Sequence, residues 1–432
     1  MRRRHRWRSR RGEPRRRAAL ALAAAGAVAL GCGMLSCVLG GDGGRAELWE
    51  LPRALRGAPL VRVALREGVA ALTVAVHGPY AVFDERGGEP VARGAALAPT
   101  QLRAEKSGLA FGRYLFRPGF VRVVPERSGT LELEGTRYRG ELVVLWRSGQ
   151  ELLAINRVDL ESYVAGVIGN EMPLSWPEAA LRAQAIAARS YALYQVQARR
   201  RAPYDVTDGA SSQVYRGLSQ ETERARAAVH STLGVVLSWR GRLFPAFFHS
   251  TCGGETIPAA WVFGGPDIPP LGGGPCGFCE ASRHYQWEVE LSKDEVAAAL
   301  AGRGVVPPLV SVAVRERGPG AHVALVEVTH AGGRLRLSGA ALRRALGTSV
   351  LRSSRFEVED AGERLRWRGA GWGHAVGMCQ FGARGMAERG YGTREILQRY
   401  YPGAELVALY PAPASTLADG ARAALLAGRS PH

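Results

Sequence analysis

The chain has 432 residues, of which 46% are hydrophobic and 22% are charged. This composition excludes an intrinsically disordered chain and leaves room for one large or two medium domains. The formal net charge is +18, and residues 1–17 supply half of it through ten arginines against one glutamate. The rest of the chain has no helix-turn-helix, RNP-like strand or basic stripe interleaved with aromatic residues, so we expect no nucleic-acid partner.

The N-terminal segment has the layout of an export signal, because the arginine block is followed by an apolar run at 18–30 and then by small residues. The run is shorter than the roughly 20 residues of a spanning helix unless it continues to residue 39. Cys32 and Cys37 each follow a small residue, as lipidated cysteines do. We predict an export signal, a lipoprotein anchor or a membrane anchor with a linker at 1–45. All three alternatives place the body outside the cytoplasm, in the periplasm or at the cell surface.

Short alternating runs dominate the next part of the chain. Val61-Arg62-Val63 and Leu131-Glu132-Leu133 are examples, and glycine and proline separate them. Alternation with a period of two indicates half-buried strands, so we predict a β-rich region with antiparallel sheets at 46–150.

Helical spacing begins near Asp159, where Leu160, Val164 and Val167 fall on one face. A second helix is predicted from just after Ser175 to about residue 200, with Ser175 and Glu178 at the spacing of a capping box. The later patterns predict strands at 235–239, 243–248, 310–316 and 322–329, and helices at 293–302, 339–346 and 393–400. The predicted class is α+β, with mixed, largely antiparallel sheets and a few helices. We divide this part into one region at 151–412 and an alanine-rich tail at 413–432.

Two charged residues interrupt the apolar faces of these helices. Glu171 continues the stripe of Leu160 at i+11, where desolvation raises a carboxyl pKa into the range that a general acid needs. Alternatively, the helix ends before Glu171 and the side chain is exposed. Arg189 lies within the apolar arc of the second helix, so it needs a carboxylate partner or must extend its head group to water.

Four cysteines follow the leader, and their spacing suggests a metal site. His249-x2-Cys252 and Cys276-x2-Cys279 resemble zinc-ligand pairs, with His284 as another possible fourth ligand. Disulfides are the alternative outside the cytoplasm. The three clustered cysteines can form only one disulfide, which leaves one of them unpaired unless it bonds to Cys379. We predict a structural zinc ion held by His249, Cys252, Cys276 and Cys279, since a site closed by four protein ligands has no open position for catalysis.

Several separated segments of the chain carry specific motifs. They are Val158–Tyr194, GAGWGHAVGMCQFGARGMAERG at 369–390, ILQRYYPG at 396–403, Asp208–Tyr215 and Phe248–Thr256. Together these segments resemble the SpoIID/LytB family of bacterial cell-wall proteins. The resemblance spans roughly residues 60–412, so 151–412 becomes a SpoIID-like catalytic region. Two positions depart from the family pattern, with Ala375 in place of a glycine and Cys379 in place of a serine.

The resemblance implies a lytic transglycosylase. Such enzymes break the β-1,4 bond between N-acetylmuramic acid and N-acetylglucosamine by attack of the sugar's own C6 hydroxyl, which leaves 1,6-anhydro ends. The family's relatives prefer strands stripped of stem peptides. Its catalytic glutamate matches Glu171 in Asn170-Glu171-Met172-Pro173. Ordinary glycosidases use two carboxylates, but an internal nucleophile lets one acid/base suffice, with Asp208 as a candidate supporting group.

The resemblance also suggests substrate contacts and partners. Trp372 offers a stacking surface for a sugar, and the polar side chains His374 and Gln380 follow it in a glycine-rich segment whose backbone can approach a ligand closely. We add Arg189 and Gln213 as substrate-binding residues. The expected partners are peptidoglycan glycan strands, a cell-wall amidase and, through the N-terminal segment, a membrane. One alternative is a non-catalytic wall-binding enhancer of an amidase, and a weaker one is a metal-dependent hydrolase.

Overall fold

The computed structural model describes residues 46–410, apart from 53–54, 85–86, 118 and 148–149, together with residues 418–427. The predicted signal or anchor at 1–45, with Cys32 and Cys37, lies outside the described residues. Within the described ranges no helix is long and apolar enough to cross a membrane.

Strands alone build the first part of the described chain. They are β1 (Trp49–Glu50), β2 (Leu60–Val69), β3 (Ala71–His77), β4 (Tyr80–Phe83), β5 (Ala92–Gly94), β6 (Leu97–Glu105), β7 (Gly108–Phe111), β8 (Tyr114–Phe116), β9 (Phe120–Pro125), β10 (Thr130–Leu133), β11 (Thr136–Tyr138), β12 (Glu141–Arg147) and β13 (Glu151–Asp159). Along β10 Leu131 and Leu133 are buried while their neighbours are less so, as the period of two requires. The predicted antiparallel region is confirmed.

These strands form two sheets. One has the order β11-β10-β3-β6-β7-β8, and the other has the order β14-β2-β13-β12-β9-β4-β5, with β14 (Val206–Thr207) as its only parallel member. Val63 and Val144 of the seven-stranded sheet share one apolar core with Val74 and Leu102 of the six-stranded sheet. The long strand β13 leads directly into the first helix, so the sheet fixes where that helix begins.

A helical layer follows, with short strands between its helices. Its elements are α1 (Leu160–Glu171), α2 (Glu178–Ala198), α3 (Glu223–His230), β15 (Val235–Ser238), β16 (Arg242–Leu243), β17 (Phe248–His249), β18 (Glu255–Thr256), α4 (Ala259–Phe263) and β19 (Gly274–Pro275). Asp159 caps α1 because its carboxylate accepts a hydrogen bond from the Ser162 N–H at 2.9 Å. The predicted start of α1 is confirmed.

Two details of the predictions for this layer are wrong. Helix α2 begins at Glu178 with Pro177 as its N-cap, without a side-chain cap hydrogen bond, so Ser175 and Glu178 form no capping box. The predicted strand at 243–248 is interrupted, because residues 244–247 around Pro245 belong to no strand. A proline has no N–H to donate to a sheet.

Residues 286–370, here called the 286–370 unit, have an apolar core of their own. The elements are β20 (Gln286–Ser292), α5 (Lys293–Leu300), β21 (Leu309–Arg317), β22 (Val323–His330), β23 (Gly333–Leu337), α6 (Gly339–Leu346), β24 (Phe356–Ala361) and β25 (Arg364–Ala370). Two three-stranded antiparallel sheets, β20-β25-β24 and β21-β22-β23, enclose Trp287, Val326, Leu342 and Trp367. This unit was not predicted as separate from its surroundings.

After this unit the chain returns to the helical layer. It adds β26 (Met378–Cys379), α7 (Gln380–Glu388), α8 (Thr393–Tyr400), β27 (Glu405–Ala408) and α9 (Ala418–Ala427). Strand β26 pairs in parallel with β17, so Cys379 lies opposite His249, and β27 pairs with β15. This return brings the start of α7 to the end of α1. The predicted α+β class with mostly antiparallel sheets is confirmed.

Candidate active site

Glu171 is the last residue of α1, and its side chain is fully buried. The Val214 N–H donates to one carboxylate oxygen at 3.0 Å, and the Gln380 side-chain amide approaches the other at 3.4 Å. Burial raises the pKa of Glu171 to about 7, and the two hydrogen bonds, which stabilise the carboxylate, limit the rise. Near neutral pH the group can therefore both give and take a proton.

This raised pKa links folding to pH. The folded chain holds the Glu171 proton up to about pH 7, whereas the ordinary pKa is 4.5. The Glu171 contribution to the free energy of unfolding is therefore fully present below about pH 4.5 and falls by on the order of 3 kcal/mol as the pH rises to about 7. Other groups, among them the buried His249, titrate over the same range, so urea unfolding near both limits compares two proteins. The difference in unfolding free energy between wild type and Glu171→Gln should change by this amount. The same pH dependence in both proteins would contradict the buried carboxyl as its source.

Three buried glutamines lie around Glu171. Gln380 also approaches the side-chain oxygen of Gln184 at 3.5 Å, and Gln213, next to Val214, donates to the Ala188 carbonyl at 3.3 Å. Among the described residues, the side-chain nitrogen of Gln184 and the side-chain oxygens of Gln213 and Gln380 have no hydrogen-bond partner. Buried polar atoms normally have partners, so these atoms are suited to pair with a ligand.

Arg189 lies against Glu161 and not in the Glu171 cluster. Its guanidinium makes two hydrogen bonds to the Glu161 carboxylate, at 2.9 and 2.7 Å, and a third to the Val235 carbonyl at 3.1 Å. The side chain of Arg189 is fully buried, and Glu161 is 14% exposed. The contacts are those of an ion pair that joins α2 to α1 and β15, which differs from the expected substrate-binding position.

Breaking this ion pair should destabilise the fold. We expect Arg189→Leu to lower the free energy of unfolding by about 3–5 kcal/mol, because it leaves the Glu161 carboxylate without its partner. The control is Arg182→Leu on the same helix, which removes an i,i+4 pair with the exposed Glu178 and a hydrogen bond to the Ser231 hydroxyl, and should cost only about 1–2 kcal/mol. Equal losses of unfolding free energy in the two variants, measured by urea unfolding, would argue against a buried ion pair between Arg189 and Glu161.

His374 lies in a buried aromatic pocket beside His249, with 5.3 Å between the ring centroids. The Val376 N–H donates to Nδ1 of His374, and the Val376 carbonyl accepts from Nδ1 of His249, each at 3.0 Å. Burial lowers the pKa of His249 to about 4 and that of His374 well below its ordinary value, so both rings are neutral. Within the described part, neither Nε2 atom has a partner.

Trp372 and Asp208 have other contacts. Trp372 is half-buried, and its ring packs edge-on against His284 with 4.3 Å between centroids. Asp208 forms ion pairs with Arg66 and Arg216 at 3.4 and 3.6 Å. No hydrogen bond among those of the described residues joins Trp372, His374 or Asp208 to Glu171.

Ala375 stands where the family pattern has a glycine, and its backbone conformation is strained. Its φ of 61° lies in the left-handed region, where an alanine costs about 1–2 kcal/mol and a glycine does not. The turn that carries His374 is therefore kept despite local strain.

Four buried cysteines form a second cluster beside Glu171. The sulfur atoms of Cys252, Cys276, Cys279 and Cys379 all lie within 4.8 Å of one another, and these cysteines are free. His249, a predicted ligand, is not part of this cluster, and Cys379 stands in its place. Cys379 also caps α7, where its sulfur accepts a hydrogen bond from the Gly382 N–H at 3.3 Å.

The four sulfur atoms are close enough together to hold one metal ion. Tetrahedral zinc with bonds of about 2.3 Å to sulfur requires sulfur atoms about 3.8 Å apart. The sulfur atoms of Cys252 and Cys279 are 3.5 Å apart. A side chain at Gly382 would collide with the Tyr400 hydroxyl and the Cys276 sulfur, so a glycine allows α7 to pack this closely on the cluster.

Comparisons with known proteins identify sequences that are similar to this chain. Residues 148–239 match the family described as Stage II sporulation protein, and residues 277–377 match a domain of unknown function. A Stage II sporulation protein D of Bacillus amyloliquefaciens is 31% identical over 274 residues, which cover 59% of this chain and 75% of the relative. The chain belongs to the stage II sporulation protein D family.

Two further relatives extend the comparison. An uncharacterized protein of Brachyspira hyodysenteriae is 28% identical over 351 residues, which cover 81% of this chain and 93% of the relative. A protein named Amidase enhancer from Bacillus subtilis is 27% identical over 339 residues, which cover 66% of this chain and 46% of the relative.

The residues around Glu171 come from distant parts of the sequence. The stage II sporulation protein segment, 148–239, contains Glu171, Gln184 and Gln213, whereas Gln380 comes from outside both matched segments. Gln184 was not predicted as a site residue. The sequence does mark Gln184 as unusual, because it is an amide within the alanine-rich, buried part of α2. Only the fold, however, places it beside Gln380.

Proposed function

We propose that the chain is a peptidoglycan lytic transglycosylase that cleaves the bond between N-acetylmuramic acid and N-acetylglucosamine, with Glu171 as its single acid/base. The observation that carries the proposal is the buried carboxyl with a pKa of about 7, held by Val214 and Gln380. Such a group is protonated often enough to act as an acid and ionised often enough to act as a base.

The proposed reaction needs no second carboxylate and no water. Protonated Glu171 gives its proton to the glycosidic oxygen as the bond from C1 to that oxygen breaks. The resulting carboxylate takes the proton of the C6 hydroxyl, whose oxygen forms the new bond to C1. The N-acetylglucosamine leaves with a free 4-hydroxyl, the muramic residue becomes a 1,6-anhydro sugar, and Glu171 regains its proton.

The glutamines are proposed to orient the sugar. An acetamido group has one N–H and one carbonyl, and the unpaired atoms of Gln184, Gln213 and Gln380 include one donor and two acceptors. Because Glu171 is fully buried, we propose that the segment carrying Gln213 and Val214 moves aside to admit a strand. When this segment opens, hydrogen bonds within the protein are replaced by hydrogen bonds to the bound sugar.

Cys252, Cys276, Cys279 and Cys379 are proposed to hold one structural zinc ion. Zinc supplies a fixed tetrahedral link between these cysteines. Cys379 directly precedes Gln380, so the same link fixes the start of α7 next to Glu171. We further propose that the chain is exported and held at the wall or membrane by residues 1–45.

The deciding experiment is incubation of the purified protein with glycan strands, with and without stem peptides, followed by mass analysis of the ends. We expect 1,6-anhydro ends, in larger amount from peptide-free strands. Reducing ends without an anhydro sugar would indicate a hydrolase, and unchanged strands would reject the proposed activity.

The likeness to a protein named Amidase enhancer favours a second candidate, a non-catalytic wall-binding protein that stimulates an amidase. The two candidates differ in one readout. Stimulation of a purified wall amidase by Glu171→Gln to the same extent as by wild type, without anhydro ends from either, would select the enhancer.

A further inference from the structure

Arg343 on α6 is a buried cation that has no carboxylate partner among the described residues. It is 8% exposed, and its Nε donates to the Leu351 carbonyl at 2.8 Å, whereas Nη2 has no hydrogen-bond partner in the described part of the chain. Burial lowers the pKa of Arg343 to about 10, and the neighbouring Arg344 lowers it further. The guanidinium is still charged at neutral pH. A buried charge is costly unless it is paired, so this one suits an anionic ligand.

His322 lies close to Arg343 and also has an unpaired nitrogen. It is 1% exposed, its Nδ1 is 2.8 Å from the Ser354 hydroxyl, and its Nε2 has no partner among the described residues. Burial, together with the nearby Arg355, His249 and Arg343, lowers the pKa of His322 to about 3, so the ring is neutral at neutral pH. When the Ser354 hydroxyl donates to Nδ1, Nε2 carries the ring proton and can donate to a ligand.

One short segment, residues 351–355, joins these basic groups. Its first carbonyl accepts from Arg343, the Ser354 hydroxyl contacts His322, and its last residue is Arg355. We call Arg343, His322 and Arg355 the basic cluster. A groove of about 720 Å³ borders this cluster, since its lining includes Arg355 and the residue that precedes His322. Solvent and small ions therefore reach the edge of the basic cluster.

The acidic side chains at this groove do not neutralise the basic cluster. Three of them surround Arg368, with Glu288 at 2.7 Å, Glu359 at 3.6 Å and Glu357 opposite it on the neighbouring strand. Glu255 on the adjacent β18 is exposed. Among the described residues, none of these four carboxylates contributes to the pKa shifts in the basic cluster, and the hydrogen-bond partner of Arg355 is a backbone carbonyl. The cluster thus carries two positive charges from its two arginines.

We propose that the basic cluster binds one small tetrahedral oxyanion of the phosphate class. Its donors come from three elements, namely α6, the turn before β22 and the segment before β24. A phosphate offers acceptor oxygens in several directions, whereas a carboxylate offers two in one plane. One or two negative charges on the phosphate offset the two guanidinium charges. The site is separate from Glu171 and does not depend on the proposed function.

The test is calorimetric titration of the full chain with sodium phosphate at constant ionic strength. We expect one saturable site per chain in the wild type. Arg343→Met should weaken phosphate binding by roughly tenfold or more, because a charge-assisted hydrogen bond is lost, and His322→Phe should weaken it several-fold. Arg344→Met is the matched control, since Arg344 is the exposed neighbour on the same helix and this variant should bind like wild type.

The source of the phosphate group is tested with dimethyl phosphate, which mimics the phosphodiester of a polymer. Binding of both anions supports a site that accepts a phosphodiester, and binding of inorganic phosphate alone supports a site for the free ion. Wild type without saturable binding would overturn the proposal, whether or not the variants fold. Equal weakening by Arg343→Met and Arg344→Met would also overturn it, as would acetate binding as tight as that of phosphate. If Arg343→Met does not fold, unchanged binding by folded His322→Phe would reject the site.

Discussion

Replacing Glu171 by glutamine should lower the rate of 1,6-anhydro end formation by roughly 10³-fold or more. One side chain supplies both the acid and the base in the proposed reaction, and each role commonly contributes about 10²–10⁴-fold. Glutamine has nearly the same shape and can still accept from the Val214 N–H, so the fold and strand binding should persist. Rates are measured by mass analysis of ends released from peptide-free strands.

Two control variants make this experiment specific. Glu178→Gln changes an exposed glutamate at the start of α2 and should leave the rate unchanged. Asp208→Asn removes a carboxylate that is paired with Arg66 and Arg216, and we expect it to retain far more activity than Glu171→Gln. Residual activity of Glu171→Gln close to wild type would reject Glu171 as the acid/base.

Removal of zinc should produce the largest loss of stability. Structural zinc contributes about 10–16 kcal/mol in small zinc peptides, and here the ion would join segments that are otherwise held by an independent core. We therefore expect a loss on the order of 5 kcal/mol. Purified protein should contain about one zinc ion per chain. A strong chelator should release this ion and lower the melting temperature of the protein.

Point variants distinguish the predicted ligand set from the one in the structure. Cys379→Ser should abolish zinc binding, whereas His249→Gln should keep about one zinc per chain, because His249 lies outside the sulfur cluster. Elemental analysis of folded, gel-filtered protein gives the stoichiometry. Protein without metal whose four cysteines are paired in two disulfides would contradict the zinc site.

Local patterns predicted much of the fold. The β-rich region, the start of α1 and the helices at 339–346 and 393–400 follow from periodicity, because buried faces impose a spacing that can be read along the chain. Helix α3 was not predicted, and the 286–370 unit was not recognised as having its own core. Both errors have the same cause. The spacing of apolar residues along the chain does not say which buried faces pack together.

The candidate site illustrates the same limit at the level of single residues. Spacing identified Cys252, Cys276 and Cys279, which lie within one stretch of chain, but not Cys379, which follows about a hundred residues later. The parallel pairing of β26 with β17 brings Cys379 to Cys252, and no local pattern encodes that pairing. Arg189 was placed correctly on a buried face, yet only the fold identified Glu161 as its partner.

Glu171 shows what each level decides. The sequence by itself determined that a carboxyl group would end an apolar helical stripe, since that depends only on residue spacing. The tertiary structure decided that the group is fully buried and that Val214 and Gln380 contact it. Its pKa depends on these surroundings, because desolvation and hydrogen bonds come from segments that are distant in the chain and meet only when it folds.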